Sequence, residues 1–137
     1  MKLKILIAAF AAAFIVAGAN AANAQAPAGI DMKNVLRDDL KGLNNQETIM
    51  QYLTIAPKAV VPWHTHPDGH EISFIVEGEL TLEEEGKGQR TLKAGEGFHI
   101  QPGTPHTATN NSAGPVKVLV VRLNEKGKPV AVPWQKK

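Results

Sequence analysis

The chain has 137 residues, with fifteen Lys and Arg, thirteen Asp and Glu, five His and no cysteine. That length supports one domain with a real core and not two. Without cysteine there is no disulfide, no lipid on a thiol and no thiolate metal site.

The chain opens Met1-Lys2-Leu3-Lys4, runs apolar from Ile5 to Ala17 and then turns small and polar through Ala24. A basic start, a short apolar stretch and an A-x-A site (Ala22-Asn23-Ala24) spell a secretory signal peptide over residues 1–24. The apolar run falls short of the ~20 residues that a membrane span needs, so cleavage and release are expected, with no stable membrane association afterwards. Fifteen basic residues less Lys2 and Lys4 leave thirteen against thirteen acidic ones, so the mature domain is about neutral. No basic stripe remains, which argues against nucleic acid as a partner. No twin-arginine signal is present, so export of an unfolded chain to the periplasm or beyond is expected, with any metal captured there.

Residues 25–32 read as a flexible tail and 33–137 as the folded domain. Short extended runs then follow in order: Val35 to Leu40 weakly, Glu47 to Ile55, and Val60 to His66, whose Pro62 marks an edge or irregular strand. Ile72 to Glu77 and Leu80 to Glu84 flank Gly78 as a hairpin. Gln89 to Leu92, Phe98 to Ile100, His106 to Asn110 and Val116 to Leu123 complete the set, separated by Gly-rich turns. No stretch of the mature chain holds apolar residues at helical spacing for three turns. Many short strands with Gly and Pro turns mean an all-β sandwich or barrel.

Val118-Leu119-Val120-Val121 and most of Ile72-Ser73-Phe74-Ile75-Val76 are apolar at successive positions. Such strands are covered on both faces, whereas one small barrel covers only the inner face itself. The outer face must meet another layer or another subunit, and a homodimer is expected.

The chemistry is concentrated in Trp63-His64-Thr65-His66-Pro67-Asp68-Gly69-His70-Glu71, followed by His106 beyond the turn Pro102-Gly103-Thr104-Pro105. Imidazole nitrogens and a carboxylate oxygen are ligands for divalent transition metals. In an extended chain His64 and His66 point the same way, and the Pro67-Asp68-Gly69 turn can swing Glu71 back beside them. The second bend can deliver His106 as the fourth ligand. His70 precedes Glu71 and so faces away, as a rim residue. A His-Glu-x-x-His zinc-protease reading fails, because Phe74 stands where the second histidine is required. His99 reads as a surface or interface histidine, Asn110 as a brace for the turn after His106, and Tyr52 and Trp63 as core or interface aromatics.

These residues resemble the two motifs of the cupin superfamily. The first, G-x5-H-x-H-x3,4-E-x6-G, is met at His64, His66, Glu71 and Gly78, with Lys58 in place of the leading glycine. The second, G-x5-P-x-G-x2-H-x3-N, is met at Gly95, Gly103, His106 and Asn110, with Gln101 in place of the proline and Pro102 one position late. The resemblance covers about residues 54–123 and is closest to small single-domain secreted bacterial cupins. It implies a single-domain cupin jelly-roll β-barrel, commonly dimeric, that holds one divalent metal (Fe, Mn, Ni, Cu or Zn) through His64, His66, Glu71 and His106. It also implies a small-molecule substrate or ligand and a Glu71 able to loosen and accept a substrate proton. Four ligands on an ion that prefers six leave two positions open, which suits Lewis-acid or oxygen chemistry. The leading reading is a dioxygenase-like, metal-dependent oxidoreductase acting on a small organic substrate. The alternatives are a metal-dependent isomerase or lyase, and a non-catalytic periplasmic module that binds a small ligand or metal. The affinity order of divalent metals leaves the choice of ion to availability at loading.

Overall fold

The computed structural model describes residues 26–136, so the expected signal peptide over 1–24 lies outside the described residues. Ten strands form two antiparallel five-stranded sheets. In chain order they are β1 (Ile30–Asp39), β2 (Gln46–Ile55), β3 (Val60–Thr65), β4 (Gly69–Glu77) and β5 (Glu79–Glu84). They continue with β6 (Gly88–Lys93), β7 (Gly97–Ile100), β8 (His106–Thr109), β9 (Val116–Glu125) and β10 (Val132–Pro133). The first sheet runs β1-β2-β9-β4-β7 and the second β10-β3-β8-β5-β6. Each sheet mixes strands from both halves of the chain, as a jelly roll does. There is no helix among the described residues.

Alternation along the strands builds the core. Leu53 and Ile55 of β2, Ile75 of β4, and Val116, Val118 and Val120 of β9 face inward from the first sheet. Leu80, Leu82, Leu92 and Ala108 meet them from the second, with Phe98 and Ile100 of β7 closing the edge. Burying such side chains contributes about 1.5–3 kcal/mol each relative to exposure.

Three expectations need correction. The loose tail ends sooner than residue 32, because β1 starts at Ile30, whose side chain is buried in the core. The weak strand over Val35 to Leu40 is therefore part of a ten-residue strand that pairs with β2 on both sides of a bulge at Val35. The run Val118 to Val121 is not covered equally on both faces: positions 116, 118, 120, 122 and 124 are buried, and those between are half-buried. On neighbouring β4, Ile72, Phe74 and Val76 lie exposed on that same outer face.

Candidate metal centre

β3 and β8 carry two of the four candidate ligands, His64 and His106, and a third, His66, follows directly on β3. Val61 pairs with Ala108 and His64 with His106, so three residues on β3 oppose two on β8 and the extra residue makes a bulge at Pro62-Trp63. Without that bulge, Val61 and His64 would face opposite sides, since a strand alternates. With it, Val61 packs on the core while His64 points at His106. Pro62 is accommodated there because it has no N–H to give to a ladder. His66 stands just past the end of β3, and its carbonyl accepts from the Gly103 amide at 2.9 Å, tying the first ligand loop to the second. Gly103 takes φ +73°, a left-handed value that favours glycine. Glu71 enters from the other sheet, inward on β4 beside Ser73 and Ile75.

The four residues converge: one ligand atom from each of His64, His66, Glu71 and His106 lies within 4.8 Å of the others. The three imidazole centroids are 4.2, 4.9 and 5.2 Å apart. Each ring is anchored through Nδ1 to a backbone carbonyl: His64 to Pro62 at 2.8 Å, His106 to Thr104 at 2.9 Å, and His66 to Val130. A carbonyl only accepts, so each Nδ1 carries a proton, which leaves Nε2 as the nitrogen available to a metal. Among the described residues, the buried Nε2 atoms of His66 and His106 have no hydrogen-bond partner. His66 Nε2 approaches Glu71 Oε2 to 2.9 Å without the alignment of a hydrogen bond. Buried nitrogens left bare are rare and call for an explanation, and a metal ion supplies one.

Charge in the site is arranged the same way. Burial, reinforced by His106, lowers the His64 pKa to about 4, against the opposing hydrogen bond to Pro62. Burial also lowers His106. Both rings are therefore neutral near pH 7, the form that binds metal. Burial alone would raise Glu71, but the Arg122 guanidinium, helped by His66 and His106, outweighs it and holds the carboxyl well below its ordinary range. Imidazole nitrogens together with one carboxylate suit a divalent transition ion. The centre opens onto a cavity of about 40 Å³, whose apolar wall includes Leu53, Leu82, Phe98 and Val120.

The remaining sequence-predicted residues lie elsewhere. His70 faces out from β4, with Nδ1 2.9 Å from Nε2 of His99 on β7, so these two imidazoles pair on the outer surface, apart from the cluster. Fully buried Asn110 donates to Ile55 O at 2.9 Å and Gly114 O at 2.8 Å, and accepts from the Ser112 amide and hydroxyl. It braces the loop between β8 and β9. Trp63 packs against Trp134 with centroids 5.2 Å apart and the rings tilted by 48°, while Tyr52 is half-buried on β2. Lys58, standing where the first motif has glycine, adopts φ +65° all the same.

Sequence reasoning missed Arg122, Gln51 and Ser73. Arg122 lies directly opposite Glu71 in the β4–β9 register and contacts Oε2 through Nε at 3.0 Å and Nη2 at 2.7 Å. The signal was present: Arg122 continues the inward positions 116, 118 and 120.

Residues 51–122, just over half of the chain, match the sequence model of the cupin domain. The chain belongs to the cupin family. Germin-like protein 1-1 of Oryza sativa subsp. japonica is 32% identical over 104 residues, 73% of this cupin and 48% of that protein. Germin-like protein subfamily 2 member 2 of Arabidopsis thaliana is 31% identical over 86 residues, 60% of this chain and 39% of that one. The cupin thus spans less than half the length of these curated relatives. A recombinant oxalate oxidase in complex with glycolate superposes with a TM-score of 0.60 at 27% identity, covering 80% of this chain and 57% of that one. A double-stranded beta-helix protein from Klebsiella pneumoniae gives a TM-score of 0.60 at 20% identity, over 80% and 87%, a likeness that shows the fold.

Proposed function

We propose that this cupin binds one divalent transition metal through His64, His66, Glu71 and His106, and acts as a dioxygenase-like oxidoreductase on a small organic substrate. The observation that carries the metal is the convergence of three Nδ1-anchored imidazoles on one carboxylate, with two buried Nε2 atoms that have no hydrogen-bond partner among the described residues. Such an ion would supply Lewis acidity and, if redox-active, one-electron chemistry. The chain's own residues hold it, keep His64 and His106 neutral and line the site with an apolar wall. One structural relative, an oxalate oxidase in complex with glycolate, supports small oxygenated acids as the substrates to try first.

A second reading is a non-catalytic binder of metal or a small ligand. It is favoured by the cavity lining, whose only titratable groups are His64, Glu71, His106 and Arg122. All four are committed to the cluster, and Glu71 is held too firmly to serve as a loose proton acceptor. An isomerase or lyase would need an acid or base that this lining does not offer.

Elemental analysis of the protein from its native compartment tests the metal and names it. Oxygen uptake with the iron or copper form and small acids, absent with zinc, supports the oxidoreductase. Tight ligand binding without turnover across a broad panel supports the binder. We further propose a periplasmic or secreted mature protein that pairs as a homodimer through the apolar outer face of β4 and β9. Cell fractionation and sedimentation at graded concentration test these two points.

A further inference from the structure

We propose that Arg122 is a positioning residue for the metal centre, the inner member of a hydrogen-bonded row that crosses the first sheet and fixes the carboxylate of Glu71. The inference rests on the metal reading above. Four side chains on four adjacent strands make the row. Gln51 of β2 donates to Asn34 Oδ1 of its register partner on β1 at 2.8 Å, and its own Oε1 accepts from Arg122 Nη1 on β9. Arg122 in turn gives Nε and Nη2 to Glu71 Oε2 on β4. The other carboxylate oxygen accepts from Ser73 Oγ at 3.1 Å. Both oxygens of Glu71 are thus held by donors from fixed strands, and its side chain has one orientation left.

The pair is poorly explained as a device for stability. Arg122 and Glu71 are 7% and 5% exposed, and ions buried that deeply lose much of their attraction to desolvation. An apolar pair of similar volume at these facing positions would extend the core already formed by Val116, Val118 and Val120. What the ion pair provides and an apolar pair would not is a carboxylate aimed at the three Nε2 atoms. The guanidinium also works against the centre, because its charge repels a cation. Two effects of opposite sign therefore meet at one residue, and the proposal is that orientation outweighs repulsion.

The test uses the full chain, stripped with chelator and titrated with zinc and with manganese, alongside Arg122→Met, Arg122→Lys and Gln51→Leu. Both Arg122 variants are expected to bind each ion 10–100-fold more weakly, the usual cost of losing a group that orients a ligand. Lysine should not rescue, since it keeps the charge and lacks the fork. Gln51→Leu removes only the outer support and is expected to fall between. In the Glu71→Gln background Arg122→Met should add little, since the two act through one carboxylate. The visible spectrum of the cobalt-loaded protein should also change in Arg122→Lys, a shift that a merely structural role would not produce. Zinc and manganese affinity equal to or above wild type in a folded Arg122→Met overturns the proposal and makes Arg122 a simple repelling charge. If that variant does not fold, unchanged affinity in both Arg122→Lys and Gln51→Leu overturns it equally. Failure of the wild-type chain to bind any ion sinks the metal reading first and is seen before any variant is made.

Discussion

His66 Nδ1 donates to the carbonyl of Val130, sixty-four positions further along the chain. The segment bearing that carbonyl lies on β3, where Val132 and Pro133 pair with Thr65 and His64, and the Trp134 amide donates to Trp63 O at 3.0 Å. The C-terminal segment is thus a strap that anchors the ring of one candidate ligand, His66, and pairs with the strand that carries another, His64. Deleting residues 129–137 is expected to weaken metal binding by about 10–100-fold while the far-ultraviolet β signal persists. Isothermal titration of the truncated and full chains checks this.

The four ligands should not contribute equally to a signal of structure. His66→Ala and His106→Ala are each expected to abolish stoichiometric metal, measured by elemental analysis. Both side chains are buried, yet each removes a bare nitrogen along with the ring, so the sheets should remain. Unchanged metal content in either variant would remove that residue from the ligand set.

Acid should destabilise the metal-free protein earlier than its carboxylates alone would suggest. His64 has a pKa of about 4 in the fold, against 6.5 for an ordinary imidazole. Unfolding therefore takes up a proton between those values. The stability due to the neutral ring is fully present above pH 6.5, declines as pH falls and is gone near pH 4. Allowing for the ring's partial exposure, the loss is about 2 kcal/mol, readable from urea midpoints across that range. His64→Gln should flatten the slope.

Gly78 closes the β4–β5 hairpin at φ +85°, and a Cβ there would lie 2.8 Å from Pro115 O and 3.0 Å from Val116 Cγ2. Gly78→Ala is expected to lose about 1–2 kcal/mol to the left-handed backbone, with more from the clash on the β9 entry. Asn110→Ala should lose a comparable or larger amount, because it strands the buried carbonyl of Ile55. Thermal unfolding of both variants checks the pair.

The clustering of His64, His66, Glu71 and His106 was legible in the sequence because residue spacing on a strand fixes which face a side chain occupies. His64 and His66 share a face, and Glu71 and His106 each follow a turn whose residues admit few paths. The strands were legible for a similar reason, through β-branched runs bounded by glycine and proline. Arg122 escaped because the apolar residues Leu119 and Val121 mask the alternation around it, so an inward parity looked like no parity. The contribution of Val130 left no trace in residue type, since a backbone carbonyl is common to all residues. β10 is two residues long and includes Pro133, which gives pattern reading nothing to hold. Lys58 shows the reverse case: an absent glycine looked like altered turn geometry, yet the backbone keeps the left-handed turn and places a lysine in it.

The chain's two tryptophans, Trp63 and Trp134, face each other across the junction of strap and β3, with Lys136 Nζ 5.1 Å over the Trp63 ring. Intrinsic tryptophan fluorescence therefore arises wholly from that junction. Any event that loosens the strap should appear as a change in emission colour or quenching. The protein carries its own optical gauge, and an ion that docks on His66 and shifts the strap is expected to register in it without a dye.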